Sequence, residues 1–74
     1  MNPKYVMCIA NGGNEVSLTV RRVYKVIPDE NAQARKMLRL LDDTDEEYWF
    51  SASGFVPVQL TEEGEQSFEL VAVQ

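Results

Sequence analysis

Few side chains in this sequence could carry out chemistry. Its 74 residues include no histidine, the usual base near neutral pH, and one cysteine, Cys8, which lies in an apolar run. A buried thiol has a raised pKa and reacts poorly, so we expect Cys8 to pack in the core; a reactive or intermolecular thiol is the alternative. Asp43 and Asp45 could share acid–base work, but nothing desolvates carboxylates in such a charged turn. The inventory therefore predicts that the protein is not an enzyme.

The acidic run at residues 42–47 has enough oxygen atoms for a calcium site, but its spacing does not fit one. It lacks the glycine and the flanking helices of an EF-hand. Zinc would need more ligands than one cysteine and no histidine provide. Gly12-Gly13 lacks the helix and the Lys-Ser/Thr of a phosphate-binding loop. We expect no metal site and no cofactor, and we interpret the acidic run as a solvated hairpin tip.

A small basic and aromatic cluster could bind nucleic acid. Arg21, Arg22 and Lys25 surround Tyr24, so the cations could meet phosphates while a base stacks on the ring. The net charge of −5 opposes this function, because phosphate neutralisation drives most of such affinity. The alternative is that these arginines pair with the acidic hairpin.

Charge is distributed unevenly along the chain. All seven basic residues lie between Lys4 and Arg39, whereas residues 40–74 carry only acidic charges. Strands from the two segments interleave in a small β-domain, so the charges are expected to pair across strands. The alternative is an acidic face that selects a basic partner.

Residues 48–58 hold four of the seven aromatic residues and the only tryptophan, Trp49. Alternation puts Tyr48 and Phe50 on one face of a strand and Trp49 on the other. If Tyr48 and Phe50 point inward, Trp49 is exposed; the alternative is that Trp49 belongs to the core. We expect an aromatic patch with an acidic rim that binds a protein or peptide. Its predicted members are Trp49, Phe55, Tyr5, Glu47 and Asp45.

The first part of the chain predicts two strands joined by a tight turn. The apolar run at residues 5–10 has the length of a strand, and residues 1–4 form a loose start. Asn11-Gly12-Gly13-Asn14 predicts a turn, because each of these residues tolerates a left-handed backbone. Residues 15–27 alternate over a span that is long for one strand, so we expect a bend near Arg21-Arg22.

Two interpretations compete for residues 29–42. Propensity alone favours a helix from about residue 30 to residue 41, with Asp29 as its cap. The order of apolar run, acidic turn and aromatic run favours a hairpin instead. We predict a helical turn at about Glu30–Arg35, followed by a strand from Met37 to Asp42.

The remaining segments predict a tight turn and two more strands. Gly54 is expected to take a positive φ in the turn, and Pro57 places strand 55–58 at an edge or a bulge. Residues 59–67 predict a polar connection. Residues 68–73 have the composition of a C-terminal strand that closes the sheet against the first strand.

The bulk properties predict one domain over residues 1–74. A single cysteine excludes an internal disulfide and favours a reducing compartment. No signal peptide and no membrane span are predicted, so a cytoplasmic protein is expected. Pairing at a free strand edge would make a weak homodimer of an otherwise monomeric protein.

Three segments resemble the SH3-like small β-barrels, namely Leu18–Ile27, Arg39–Asp43 and Tyr48–Val58. They are most similar to short, uncharacterised bacterial single-domain members. The resemblance implies an all-β barrel of five to six strands, with at most a short helical turn near residues 30–35. In signalling SH3 domains, aromatic residues line a groove for proline-rich peptides. Trp49 and Phe55 take similar positions here, with Phe50 buried, but Ser51 replaces the proline of that motif.

Three functional hypotheses follow. The first is a non-catalytic module that binds a protein or peptide through the aromatic patch. The second is an acidic inhibitor or nucleic-acid mimic that occupies a basic site on another protein. The third is a nucleic-acid-binding barrel that uses the basic cluster.

Overall fold

The computed structural model describes residues 3–73, with side chains described through residue 68. Within these residues the elements in chain order are β1 Tyr5–Cys8, β2 Val23–Ile27, α1 Glu30–Ala34, β3 Met37–Leu41, β4 Glu47–Ser51, β5 Phe55–Val58 and α2 Glu62–Val73. A 3-10 turn, Ala52–Gly54, joins β4 to β5. No helix in this part of the chain has both the length and the apolar character needed to span a bilayer.

The strands form one antiparallel sheet in the order β4-β3-β2-β1-β5. The prediction of a mainly β-structured domain is therefore confirmed. The sheet is open, and β4 and β5 are its two edges in the described residues. Closure into a barrel, which the resemblance implies, is not observed.

Residues 29–42 form a short helix followed by a strand, as predicted. Asp29 caps α1, since its Oδ1 accepts a hydrogen bond from the backbone N–H of Ala32 at 3.0 Å. Lys36 then takes a φ of 57°, which ends the helical geometry, and β3 begins at Met37. The cap and the left-handed residue thus limit the helix to little more than one turn.

The long strand predicted over residues 15–27 is wrong, because only Val23–Ile27 is a strand. The backbone N–H of Leu18 donates to the carbonyl of Asn14 at 2.8 Å, within a series of turns. This path brings the Leu18 side chain into the core, where it is 2% exposed. Arg21 has a φ of 75°, which interrupts the pleat immediately before β2 and confirms the predicted bend near Arg21-Arg22.

The C-terminal strand predicted over residues 68–73, and the polar connection before it, are also wrong. Helix α2 begins at Glu62, and the hydroxyl of Thr61 caps it by accepting the N–H of Gly64 at 3.0 Å. Three glutamates lie in its first turn, where they interact favourably with the helix dipole. The expectation of at most a short helical turn near residues 30–35 is overturned with them.

The turn glycines differ in what they do. Gly12 and Gly13 have φ values of 54° and 87°, and the backbone N–H of Asn14 donates to the carbonyl of Asn11 at 2.8 Å. These features confirm the predicted turn. Gly54 does not have the positive φ that was predicted. A Cβ atom at Gly54 would lie 2.5 Å from the carbonyl oxygen of Ala10, so a close backbone approach requires the glycine.

The sheet buries side chains on both of its faces at β1. Tyr5 points away from the face that carries Val6, yet it is only 2% exposed. Phe68 of α2 covers it, with ring centroids 5.1 Å apart. The other face carries the main core, which consists of Val6, Cys8, Leu18, Tyr24, Val26, Leu40, Phe50 and Phe55.

Candidate interaction surface

The β3–β4 hairpin has a buried face and an exposed face because its side chains alternate. Leu40 and Phe50 point into the core, whereas Tyr48, on the same face nearer the hairpin tip, is 51% exposed. The opposite side chains face outward in cross-strand pairs, with Arg39 beside Trp49 and Leu41 beside Glu47. We call this surface the outer hairpin face. Its residues are Met37, Arg39, Leu41, Glu47, Trp49 and Ser51.

Trp49 is the only aromatic side chain of the outer hairpin face and is 39% exposed. Its indole Nε1 donates a hydrogen bond to Oδ2 of Asp29 at 3.2 Å. The guanidinium of Arg35 lies over the ring, 5.7 Å from the centroid, in a cation–π contact. The indole is therefore accessible to solvent while two neighbours restrict its orientation.

Charged groups of both signs surround the indole. Nη1 of Arg39 lies 3.6 Å from Oδ2 of Asp29, and its Nη2 pairs with Glu47. The N–H of Ala32, and then the indole of Trp49, lower the pKa of Asp29 below its ordinary value of 3.8. Asp29 is consequently ionised at neutral pH, as its contacts with the arginine and the indole require.

The structure brings together only part of the predicted aromatic patch. Trp49 and Glu47 share the outer hairpin face, and Asp45 lies at the hairpin tip with a φ of 62°. Tyr5 and Phe55 are buried, and Phe55 packs on Tyr24 with centroids 6.3 Å apart. Helix α2 covers Tyr5 on one face of the sheet around β1, and the core covers Phe55 on the other face. The sequence did not indicate the burial of these two rings, because it depends on contacts between distant segments.

Two contributors to the outer hairpin face were missed. Asp29 and Arg35 flank α1, twenty and fourteen residues before Trp49 in the chain, so local alternation could not place them there. The available signal was the Asp29 cap, which fixes the direction in which the chain enters α1. The rim predicted as acidic therefore contains two arginines as well.

The basic cluster does not form a stacking platform. Tyr24 is 4% exposed, and its hydroxyl donates to Oδ1 of Asp43 at 2.8 Å and accepts the N–H of Thr19 at 2.8 Å. Arg22 pairs with Asp43 at 3.5 Å, so the predicted alternative of pairing with the acidic hairpin holds for this residue. Arg21 and Lys25 are exposed. A base cannot stack on a ring that the core already covers.

The acidic residues at the base of the hairpin have structural partners. Oδ1 of Asp42 accepts hydrogen bonds from the N–H and the hydroxyl of Thr44, at 2.8 and 2.6 Å, and from the N–H of Glu46 at 3.2 Å. Burial raises the pKa of Asp42, but these donors outweigh it and hold the pKa below its ordinary value. Within residues 3–73, no group of three or more acidic, cysteine or histidine side chains is placed to hold a metal ion.

Cys8 lies in the core, as predicted, and is completely buried. Burial, the largest influence on this thiol, raises its pKa. Such a thiol is protonated at neutral pH and does not react readily.

The outer edge of β4 carries backbone groups that the sheet leaves unpaired. The backbone N–H of Asp42 donates to the carbonyl of Glu46, and the backbone N–H of Ala52 donates to the carbonyl of Lys36. The even-numbered residues of β4 therefore bond to β3. In an antiparallel pair the alternate residues point the other way. The N–H and C=O groups of Glu47 and Trp49, and the N–H of Ser51, therefore face away from β3, where the described residues supply no further strand.

The other edge of the sheet, β5, is closed to pairing. Ile9 donates to the carbonyl of Gly54, so Val56 and Val58 bond to β1, and Phe55 and Pro57 face outward. Phe55 donates its N–H to the carbonyl of Ala52, and Pro57 has no N–H. The predicted edge position of Pro57 is confirmed.

The chain matches no protein-family model, and comparisons with curated proteins and with solved structures give no match either.

Proposed function

We propose that this protein is a non-catalytic interaction module that binds a protein or peptide partner through the outer hairpin face. The observation that carries the proposal is Trp49, an exposed indole held in place by Asp29 and Arg35. Tryptophan and arginine are the residues most enriched at the energetic centres of protein interfaces.

The restraint of the indole favours binding. Ordering a mobile side chain at an interface costs roughly 0.5–1.5 kcal/mol, and a side chain that is already oriented avoids most of this cost. The hydrogen bond to Asp29 and the contact with Arg35 supply that orientation before a partner arrives.

The neighbours of Trp49 indicate what a partner would offer. Leu41 is 45% exposed on the same face, so an apolar side chain of the partner could pack beside the indole. Arg39 is already paired with Glu47 and Asp29. Arg35 has no carboxylate within ion-pair distance in the described residues, so an acidic group of the partner would complement it.

The other two functional hypotheses have less support. A nucleic-acid-binding surface would need the ring of Tyr24, which is buried. An acidic mimic would need free carboxylates, whereas Asp42 and Asp43 are engaged within the protein. The likeness to the SH3-like barrels also stays a proposal, supported by the small antiparallel sheet of five strands.

The test is a selection of short peptides from a displayed library, followed by calorimetry of the selected peptides. We expect Trp49→Ala to weaken binding by at least about tenfold, the effect of losing an interface centre. The control is Val16→Ala, which removes an apolar side chain that is 81% exposed in a loop outside the β3–β4 hairpin. Equal affinities for the wild type and Trp49→Ala would overturn the proposal.

A further inference from the structure

The two edges of the sheet differ in their ability to accept another strand. β5 offers no free N–H over Phe55–Val58, since Phe55 is bonded to Ala52 and Pro57 has none to donate. β4 offers the N–H and C=O groups of Glu47 and Trp49 and the N–H of Ser51, whose C=O already accepts the first hydrogen bond of the 3-10 turn Ala52–Gly54. Unpaired edges of this kind are templates for strand addition.

We propose that the occupant of the β4 edge is a second copy of this chain, paired antiparallel through β4 in a symmetric dimer. The proposal rests on the proposed function, because Glu47, Trp49 and Ser51 belong both to this edge and to the outer hairpin face. In the register that overlaps all five residues, Trp49 lies opposite the partner's Trp49. The N–H of Ser51 of the partner subunit then donates to the outward carbonyl of Glu47.

The side chains of β4 are complementary to themselves in this register. Glu47 lies opposite the partner's Ser51, so no like charges face each other. Tyr48, which is 51% exposed, lies opposite the partner's Phe50. The two Trp49 rings face each other across a hydrogen-bonded pair, and cross-strand aromatic pairs are favourable.

The alternative registers are poorer. Centring the pair on Glu47 places two carboxylates directly opposite each other, which is destabilising, and leaves part of each strand unpaired. Centring it on Tyr48 also shortens the overlap and brings Glu47 opposite the partner's Trp49. The full overlap is the only one of the three that pairs all five residues of β4.

The test compares Ser51→Pro with Ser51→Ala in the whole chain. Ser51 has a φ of −60°, which proline adopts without strain, and its N–H does not bond to β3. Ser51→Pro therefore removes a donor that only the partner would use. Ser51→Ala removes the same hydroxyl and keeps that donor, so it is the matched control.

Sedimentation velocity over about a hundred-fold range of concentration gives the dimer dissociation constant. We expect the wild type and Ser51→Ala to dimerise equally, and Ser51→Pro to raise the dissociation constant by about tenfold or more. A wild type that stays monomeric over the whole range would overturn the proposal. Equal dimerisation of Ser51→Pro with an unchanged circular dichroism spectrum would also overturn it.

Amide hydrogen exchange of the wild type provides a second measurement that needs no variant. We expect Glu47, Trp49 and Ser51 to gain protection as concentration rises, while Tyr48 and Phe50 are protected throughout. Rapid exchange of the three outward amides in a fully formed dimer would contradict the pairing. A monomeric wild type that still binds peptides through Trp49 would overturn this inference and leave the proposed function intact. A wild type that binds no peptide through Trp49 would overturn the proposed function.

Discussion

The indole Nε1 of Trp49 lies 3.2 Å from Oδ2 of Asp29, so the cap of α1 also orients the exposed tryptophan. The other carboxylate oxygen of Asp29 accepts the N–H of Ala32. One side chain thus connects the start of the helix with the outer hairpin face. The orientation of Trp49 therefore depends on a residue twenty positions away in sequence.

This double role separates two substitutions of Asp29. Asp29→Ala removes both hydrogen bonds, so we expect a lower melting temperature and a more mobile indole. Asp29→Asn retains an oxygen for the N–H of Ala32 but offers no second acceptor to the indole. We expect it to preserve most of the melting temperature while the fluorescence anisotropy of Trp49 falls. Unchanged anisotropy in both variants, with Glu15→Ala as the control, would contradict this role.

The stability of the fold should decrease in acid through Asp29 and Asp42. Both pKa values are below the ordinary 3.8, so both groups bind protons less readily in the folded state than in the unfolded state. Their contribution is fully present above pH 3.8 and is lost as the pH falls through their folded pKa values.

Urea unfolding at a series of pH values below 5 measures this dependence. Asp42→Asn removes one of the two titrating groups, so we expect a smaller loss of stability in acid than in the wild type. The control is the double variant with Asp29→Asn and Asp42→Asn, whose free energy of unfolding should change still less with pH. A wild type whose free energy of unfolding does not change over this range would refute the assignment.

Gly54 and Gly64 should respond in opposite ways to alanine. A Cβ at Gly54 would lie 2.5 Å from the carbonyl oxygen of Ala10, and backbone cannot move aside cheaply. We expect Gly54→Ala to destabilise the protein by about 1–3 kcal/mol. A Cβ at Gly64 meets only side-chain atoms, the Thr61 hydroxyl at 3.2 Å and the Leu60 Cβ at 3.6 Å, in a helix that favours alanine by about 1 kcal/mol. Chemical denaturation measures both changes, and equal destabilisation would contradict the stated cause.

The parts of the fold that could be predicted from the sequence are those decided by local signals. Asp29 as a cap and the hairpin layout after it were sufficient for α1, β3 and β4. The alternation of β4 also indicated that Phe50 and Trp49 point in opposite directions, and the structure buries Phe50 while exposing Trp49.

The parts that could not be predicted depend on contacts between distant segments. Residues 15–22 alternate as a strand does, but the Leu18 side chain is buried in the core and these residues form turns instead. Residues 68–73 have the composition of a strand, yet the Thr61 cap and the first-turn glutamates specify a helix. Because Phe68 of that helix covers Tyr5, the predicted site lost one of its aromatic residues.

The most direct test of the outer hairpin face as the binding surface is a nuclear magnetic resonance titration of the wild type with a peptide selected on it. The chain has one tryptophan, so the indole N–H of Trp49 gives a single resolved signal. We expect this signal to shift on binding, together with the amides of Glu47 and Ser51. Shifts confined to Arg21, Arg22 and Lys25, with the indole signal unmoved, would contradict the claim that the outer hairpin face is the binding surface.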